Sequence, residues 1–213
     1  MSKISKKISY KTVANSCETL FIEKKSKFIT NVAPVETEEA ALEFLGEIRK
    51  KYSDATHNVY AYIIDENNIF RYSDDGEPGG TAGMPVLDTI RKEGLVDVIV
   101  VVTRYFGGTL LGTGGLVHAY GTGAKQGLLE AGIVTRTLCN IVEVKTDYNL
   151  VGKIQYKIAI ENYILEDTVY DNEVTFKICT KIEETQKLID EITDLTNGRA
   201  IVKVMNEPKY IDV

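Results

Sequence analysis

The chain has 213 residues, 44% of them hydrophobic and 26% charged, with a formal net charge of −6. Those values suit a folded chain of about two domains and exclude wholesale disorder and a fibrous role. The longest apolar run, Val96–Thr103, contains Asp97 and falls far short of the ~20 residues of a membrane helix; the N-terminus has no apolar signal core. The expectation is a cytoplasmic protein without a membrane partner.

The charge is uneven. Residues 1–30 hold Lys3, Lys6, Lys7, Lys11, Lys24, Lys25 and Lys27 against Glu18 and Glu23, so residues 1–19 read as a basic leader on an acidic body. Clustered lysine suits phosphate contact through counterion release, but a solubilising surface explains most such runs. Cys17, Cys139 and Cys179 form no CxxC pair, and neither His57 nor His118 has a partner at ligand spacing. No disulfide framework, metal site or cofactor is expected.

Residues 20–137 read as a first domain of alternating strands and helices. Leu20–Val32 is one long strand or a hairpin. Thr37–Tyr52 is a helix opened by Glu38 and Glu39 and closed by Arg49, Lys50 and Lys51, with Leu42, Leu45, Ile48 and Tyr52 as its apolar face. Asn58–Ile64 and Ile69–Tyr72 flank a turn and should pair. A helix is expected from about Met84, with Pro85 in its first turn, and another from about Leu116 to Glu130. Between them Val96–Thr103, almost wholly β-branched, reads as a central strand.

Residues 138–213 read as a second domain with the order β-α-β-β-α-β. Strand Ile141–Thr146 precedes a helix capped by Asn149 and carrying Leu150, Ile154 and Ile158. Strands Ile164–Tyr170 and Glu173–Lys181 join through Asp171-Asn172. Helix Glu183–Asn197 stops at Gly198 before a last strand, Ala200–Met205. That order is the ferredoxin-like split βαβ unit, a fold that hosts many functions and by itself proves none.

Thirteen of the 17 glycines lie between Gly76 and Gly127, and that stretch holds two glycine-rich loops that each leave a strand and enter a helix. Such a junction turns backbone N–H groups and a positive dipole end toward a ligand. The candidate binding surface comprises His57 and Asn58; Asp75, Gly76, Glu77, Gly79, Gly80, Thr81 and Gly83 of the first loop; and, from the second, Arg104, Tyr105, Phe106, Gly107, Gly108, Thr109, Gly112, Thr113, Gly114 and Gly115. Arg104 supplies fixed charge, and Thr109 and Thr113 supply hydroxyls. Asp74, Asp75 and Glu77 offer oxygens to a hard cation such as Mg²⁺, but the aspartates read first as turn formers. The nucleotide fingerprints fail: Thr113 stands where a P-loop needs lysine, and Gln126 ends the G-x-G-x-x-G begun by Gly121 and Gly123, whose glycines suit close helix packing instead. Without a triad, metal set or nucleophile elbow, no reaction is assigned and catalysis is not expected.

Ala55-Thr-His-Asn58, the run Ser73–Pro85, Arg104-Tyr-Phe-Gly-Gly108, Leu111–Leu116 and Ala119-Tyr-Gly121 resemble the IMPACT family, in its bacterial two-domain form called YigZ. The resemblance implies an α/β (α+β) fold: a ribosomal-protein domain-2-like first domain, shared with GHMP kinases and a domain of elongation factor G, then a ferredoxin-like domain similar to another elongation-factor module. It implies a regulator of translation, since eukaryotic members compete for the ribosome-associated activator of the amino-acid-starvation kinase and also bind actin. Residues 1–19 are too short for the additional N-terminal partner-binding domain of those members, so that domain is not expected here.

The leading expectation is therefore a non-enzymatic regulator that binds the ribosome, RNA or a translation-associated protein. The alternative is an enzyme or binder for a phosphorylated small molecule or nucleotide, held by loop amides and Arg104. A third reading places partner recognition on the second domain.

Overall fold

The computed structural model describes residues 7–212, and Lys3 and Lys6 of the expected basic leader lie outside them. The described chain separates into a first unit, Tyr10–Thr135, and a second that joins residues 7–9 to residues 136–212. In the first unit, all of β1 (Ser9–Val13) but its first residue is followed by β2 (Cys17–Glu23) and β3 (Ser26–Pro34). The region expected as one strand or a hairpin is thus a hairpin. Its tip is Lys24-Lys25, both at positive φ (44° and 68°), the backbone that lets a two-residue turn follow the strand twist. Residues placed by sequence in the basic leader are strand-forming from Ser9, and Val96 N donates to Lys11 O.

Helix α1 (Glu38–Lys51) starts where Thr37 accepts a hydrogen bond from Ala40 N, and its charges fall as expected at both ends. Then come β4 (His57–Ile64), β5 (Ile69–Ser73), α2 (Gly83–Glu93), β6 (Val98–Tyr105) and α3 (Gly112–Glu130). The sheet order is β2-β3-β6-β4-β5, and every neighbouring pair is antiparallel. β6 is central, as its β-branched run predicts. Val98, Val100 and Val102 enter a core shared with α2 and α3, while Ile99 and Val101 enter a second core shared with α1. Helices on both faces, rather than parallel pairing, explain the unbroken apolar run.

Glycine sets the distance between α3 and the sheet. A Cβ on Gly127 would lie 2.7 Å from Thr30 Cγ2 and 2.8 Å from Val32 Cγ2, and one on Gly123 would lie 2.9 Å from Thr30 Oγ1. The helix rides on β3 at a separation that no larger residue permits. Gly121 has no such crowding, its nearest neighbour being Thr89 Oγ1 at 3.8 Å.

The second unit contains most of β7 (Ile133–Thr146), then α4 (Val151–Ile160), β8 (Ile164–Tyr170), β9 (Val174–Lys181), α5 (Thr185–Thr196), β10 (Ile201–Val204) and β11 (Lys209–Asp212). β10 pairs with β7, β7 with β9 and β9 with β8, all antiparallel, which is the ferredoxin-like arrangement. Ile154, Ile158, Leu188 and Ile192 of the helices pack on Val142, Val144, Phe176 and Ile178. Asp147, rather than Asn149, supplies the turn-capping oxygen before α4, accepting from Asn149 N. Asn197 and Gly198 close α5 at positive φ. Two additions escaped the sequence reading: β11 pairs with the start of this part of β7, and Leu138 N donates to Ile8 O.

Candidate functional site

Strand alternation and register bring the site together. His57 of β4 and Phe28 of β3 both stand directly opposite Arg104 of β6, so the three occupy one row across the sheet. Arg104 follows Val100 and Val102 at intervals of two and therefore faces α2 and α3. It belongs to the strand, one residue beyond the predicted strand end, and only 5% of its surface is exposed.

The first glycine-rich loop delivers Glu77 to this row. Glu77 Oε1 accepts from Arg104 Nη1 at 2.6 Å and from Tyr120 Oη at 2.8 Å, while His57 Nε2 lies 3.8 Å away. Arg104 Nη2 donates to Ser26 Oγ at 3.2 Å, and its Nε is buried without a hydrogen-bond partner. The guanidinium sits 5.5 Å from the ring centroids of both Phe28 and Phe106. Burial, with the charge of Glu77 beside it, raises the Tyr120 phenol far above its ordinary range and keeps it a donor. His57 Nδ1 lies 2.8 Å from Asp75 O; because a carbonyl only accepts, Nδ1 carries the hydrogen and Nε2 is the atom turned to Glu77.

Above this network lies a cleft of about 410 Å³. Its walls are largely apolar, with Pro78, Phe106, Leu110, Leu111 and Leu116, and its polar groups are Thr56, His57, Glu77, Arg104 and Thr113. Phe106 is 47% exposed and Leu110 84%, an unusual degree for leucine beside a cavity. The first turn of α3 completes the wall. Gly112, Thr113 and Gly114 are exposed, and no side chain caps that turn.

The two loops divide the work. In the first, Asp74 accepts from the N–H groups of Gly80, Ala82 and Gly83, and so folds the loop against the start of α2. Asp75 accepts from Asn58 N and meets Arg49. These carboxylates have separate partners, and no group of three or more His, Cys, Asp or Glu side chains among the described residues is placed to hold a metal. The aspartates are turn and clasp residues. A Cβ on Gly83 would come within 2.7 Å of the Ser73 backbone, so that glycine serves packing. In the second loop a Cβ on Gly107 would lie 2.0 Å from the Lys25 carbonyl carbon, which fixes the loop against the β2-β3 hairpin. Gly112 to Gly115, read from sequence as loop, form the first turn of α3.

Of the expected surface, His57, Glu77, Arg104, Phe106, Gly112 and Thr113 line the cleft. Gly80 and Gly83 donate to Asp74, Thr81 donates to Pro78 O, and Gly79 lies in the same loop away from the cleft lining. Thr109 and Gly114 are exposed without lining the cleft, Tyr105 donates to Asp54, and the Asn58 side chain is taken by Tyr52 O and Thr103. His118 lies elsewhere, in a groove between α2 and α3. Ser26, Phe28 and Tyr120 were missed. Period-two alternation with the partner strands signals Phe28, and the helical interval Gly112, Leu116, Tyr120 signals the last.

A scan against family models matches the Impact N-terminal domain over residues 24–128 and a domain of unknown function, DUF1949, over residues 144–199. The IMPACT family member YvyE of Bacillus subtilis is 41% identical, with 92% of this chain and 90% of that protein aligned. The chain belongs to the IMPACT family. YigZ of Escherichia coli, another IMPACT family member, is 32% identical over 82% of this chain and 87% of its own. The Protein IMPACT homolog of Dictyostelium discoideum is 42% identical over 47% of this chain and 30% of its own length. A crystal structure described as that of a hypothetical protein superposes with a TM-score of 0.60 at 29% identity, covering 94% of this chain and 99% of that one. The Impact-domain match contains every cleft residue. The expected family and mixed α+β two-domain fold are thereby established, and no described helix is long and apolar enough to cross a membrane.

Proposed function

We propose that the protein is a non-enzymatic regulator of translation that docks on the translation apparatus through the cleft of its first unit, with a protein component as the partner. The family implication supplies the direction. The observation that carries the docking reading is the apolar rim, Phe106 and Leu110, held in solvent above a floor whose charges are already matched. A protein interface places apolar anchors in pockets of this kind.

Arg104 is neutralised by Glu77 rather than displayed, which weakens the alternative of a phosphorylated small molecule. That alternative retains one support, the uncapped first turn of α3 on the cleft wall.

Ribosome co-sedimentation at low salt, followed by a cross-linking pull-down from the same fractions, tests the proposal. Leu110→Ser and Phe106→Ser are expected to reduce the co-sedimenting fraction several-fold while leaving the melting temperature nearly unchanged for Leu110→Ser. Retention of both variants on ribosomes at the wild-type level, or recovery of RNA alone after nuclease-protected cross-linking, overturns it.

A further inference from the structure

The cleft also specifies which side chain it takes. We infer that it seats one tryptophan side chain of the protein partner, an inference that rests on the docking reading above.

Hydrogen-bonding capacity at the floor points there. Glu77 receives both of its donors, Arg104 Nη1 and Tyr120 Oη, on Oε1. Its Oε2 receives none from the described residues and stays open to solvent, although the side chain is only 4% exposed. His57 Nδ1 is engaged with Asp75 O, so in the neutral ring Nε2 accepts, 3.8 Å from the Glu77 carboxylate. Both residues line the cleft. Arg104 brings no donor to that space, because Nη1 is committed to Glu77, Nη2 to Ser26, and Nε is buried. The floor therefore presents acceptors, and covering them with a group that lacks an N–H or O–H would leave them unpaired.

Charge and shape narrow the donor. Glu77 is already matched by Arg104 at 2.6 Å, so an ammonium or guanidinium would set a third charge beside Arg104 in a poorly hydrated space. A neutral donor avoids that. The walls, Pro78, Phe106, Leu110, Leu111 and Leu116, offer wide apolar area, and Thr56 Oγ1 is occupied as an acceptor by Phe106 N. Among neutral side chains tryptophan alone joins a broad apolar body to a polar atom that donates and never accepts. It is also among the residues most enriched at the energetic centres of protein interfaces. None of the 213 residues is tryptophan, so a second copy of this chain cannot supply it and the occupant belongs to another protein.

The same absence makes the test direct, since indole emission comes from the peptide alone. The probes are acetyl-Gly-Trp-Gly-amide and its 1-methyltryptophan, phenylalanine and lysine analogues, titrated into the full chain at about pH 8, alkaline of the ordinary imidazole range. The tryptophan peptide is expected to shift its emission to the blue and to move the amide resonances of Phe106, Leu111 and Leu116 while leaving Val144 and Phe176 unmoved. The 1-methyl analogue keeps the ring body and loses only the N–H, and is expected to bind at least about fivefold more weakly, with the protein itself unaltered. The phenylalanine and lysine peptides are expected to bind more weakly than the tryptophan peptide, and Leu110→Ser to weaken the tryptophan peptide several-fold. Equal binding of the 1-methyl analogue, binding of phenylalanine or lysine as tight as that of tryptophan, or resonance shifts confined to residues outside the cleft overturns the inference. If no peptide binds while ribosome co-sedimentation still depends on Leu110, the docking reading survives and the tryptophan assignment is wrong. If neither is observed, both fail.

Discussion

The two glycine-rich loops are alike in composition and opposite in physical character. The loop between β5 and α2 is closed on itself, since the Asp74 carboxylate satisfies three amides at 2.8 to 3.0 Å, and Asp75 and Glu77 reach different partners. The loop between β6 and α3 is pinned at Gly107 and then left open, with Leu110 in solvent and the helix start uncapped. Glycine density therefore reports tight backbone and not ligand contact. What separates a clasp from a binding wall is whether nearby side chains have already satisfied the amides.

That contrast is open to attack by substitution. The largest effect is expected at the pin: Gly107→Ala places a carbon 2.0 Å from a backbone atom of Lys25, and since neither side is a flexible side chain, a loss of roughly 3 kcal/mol or more is expected in urea unfolding. A wild-type midpoint would remove Gly107 as the anchor of the open loop. Next comes the buried pair beneath the cleft. Glu77→Ala and Arg104→Ala should each cost about 3–5 kcal/mol, because each leaves an uncompensated charge, while Glu77→Leu with Arg104→Met should cost much less than the sum. Additivity in that double-mutant cycle would mean the two side chains do not act as one unit.

Asp74→Ala should cost about 1–3 kcal/mol through the loss of bonds to three amides, with amide exchange accelerated at Gly80, Ala82 and Gly83 and unchanged at Gly112 to Gly115. Faster exchange in both loops would show that they are mechanically linked. The smallest signal is alkaline. Tyr120 has a raised folded-state pKa, so its contribution is complete below the ordinary tyrosine value of 10.0 and is lost only as pH climbs through the folded value. Tyrosinate absorbance should show one phenol ionising together with unfolding, and Tyr120→Phe should remove that component alone.

Cysteine chemistry is alike in the two units, since the Cys17 thiol of the first is also raised by burial. Cys179 of the second unit is pushed up to about 11 by burial and by the charge of Glu166, and Cys139 is also raised, chiefly by burial. Buried thiols of that kind pack as small hydrophobes and react slowly.

Much of this protein was legible along the chain. Period-two alternation and β-branching located β6, the Glu and Lys ends located α1, and the order of elements identified the ferredoxin-like unit. Periodicity is a local property that each segment carries by itself. The sequence also marked Glu77 and Arg104, as charges in glycine-rich segments, and His57, as one of only two histidines.

Tertiary structure alone decided what those residues do. Antiparallel register set His57 and Phe28 across from Arg104, and the close approach of α3 at Gly123 and Gly127 brought Tyr120 down onto Glu77. A hydrogen bond then joins two residues 43 positions apart, Tyr120 and Glu77. Charge that reads in sequence as a cation offered to phosphate is, in the folded chain, already matched, since electrostatic partnership depends on distance through space and sequence records only distance along the chain.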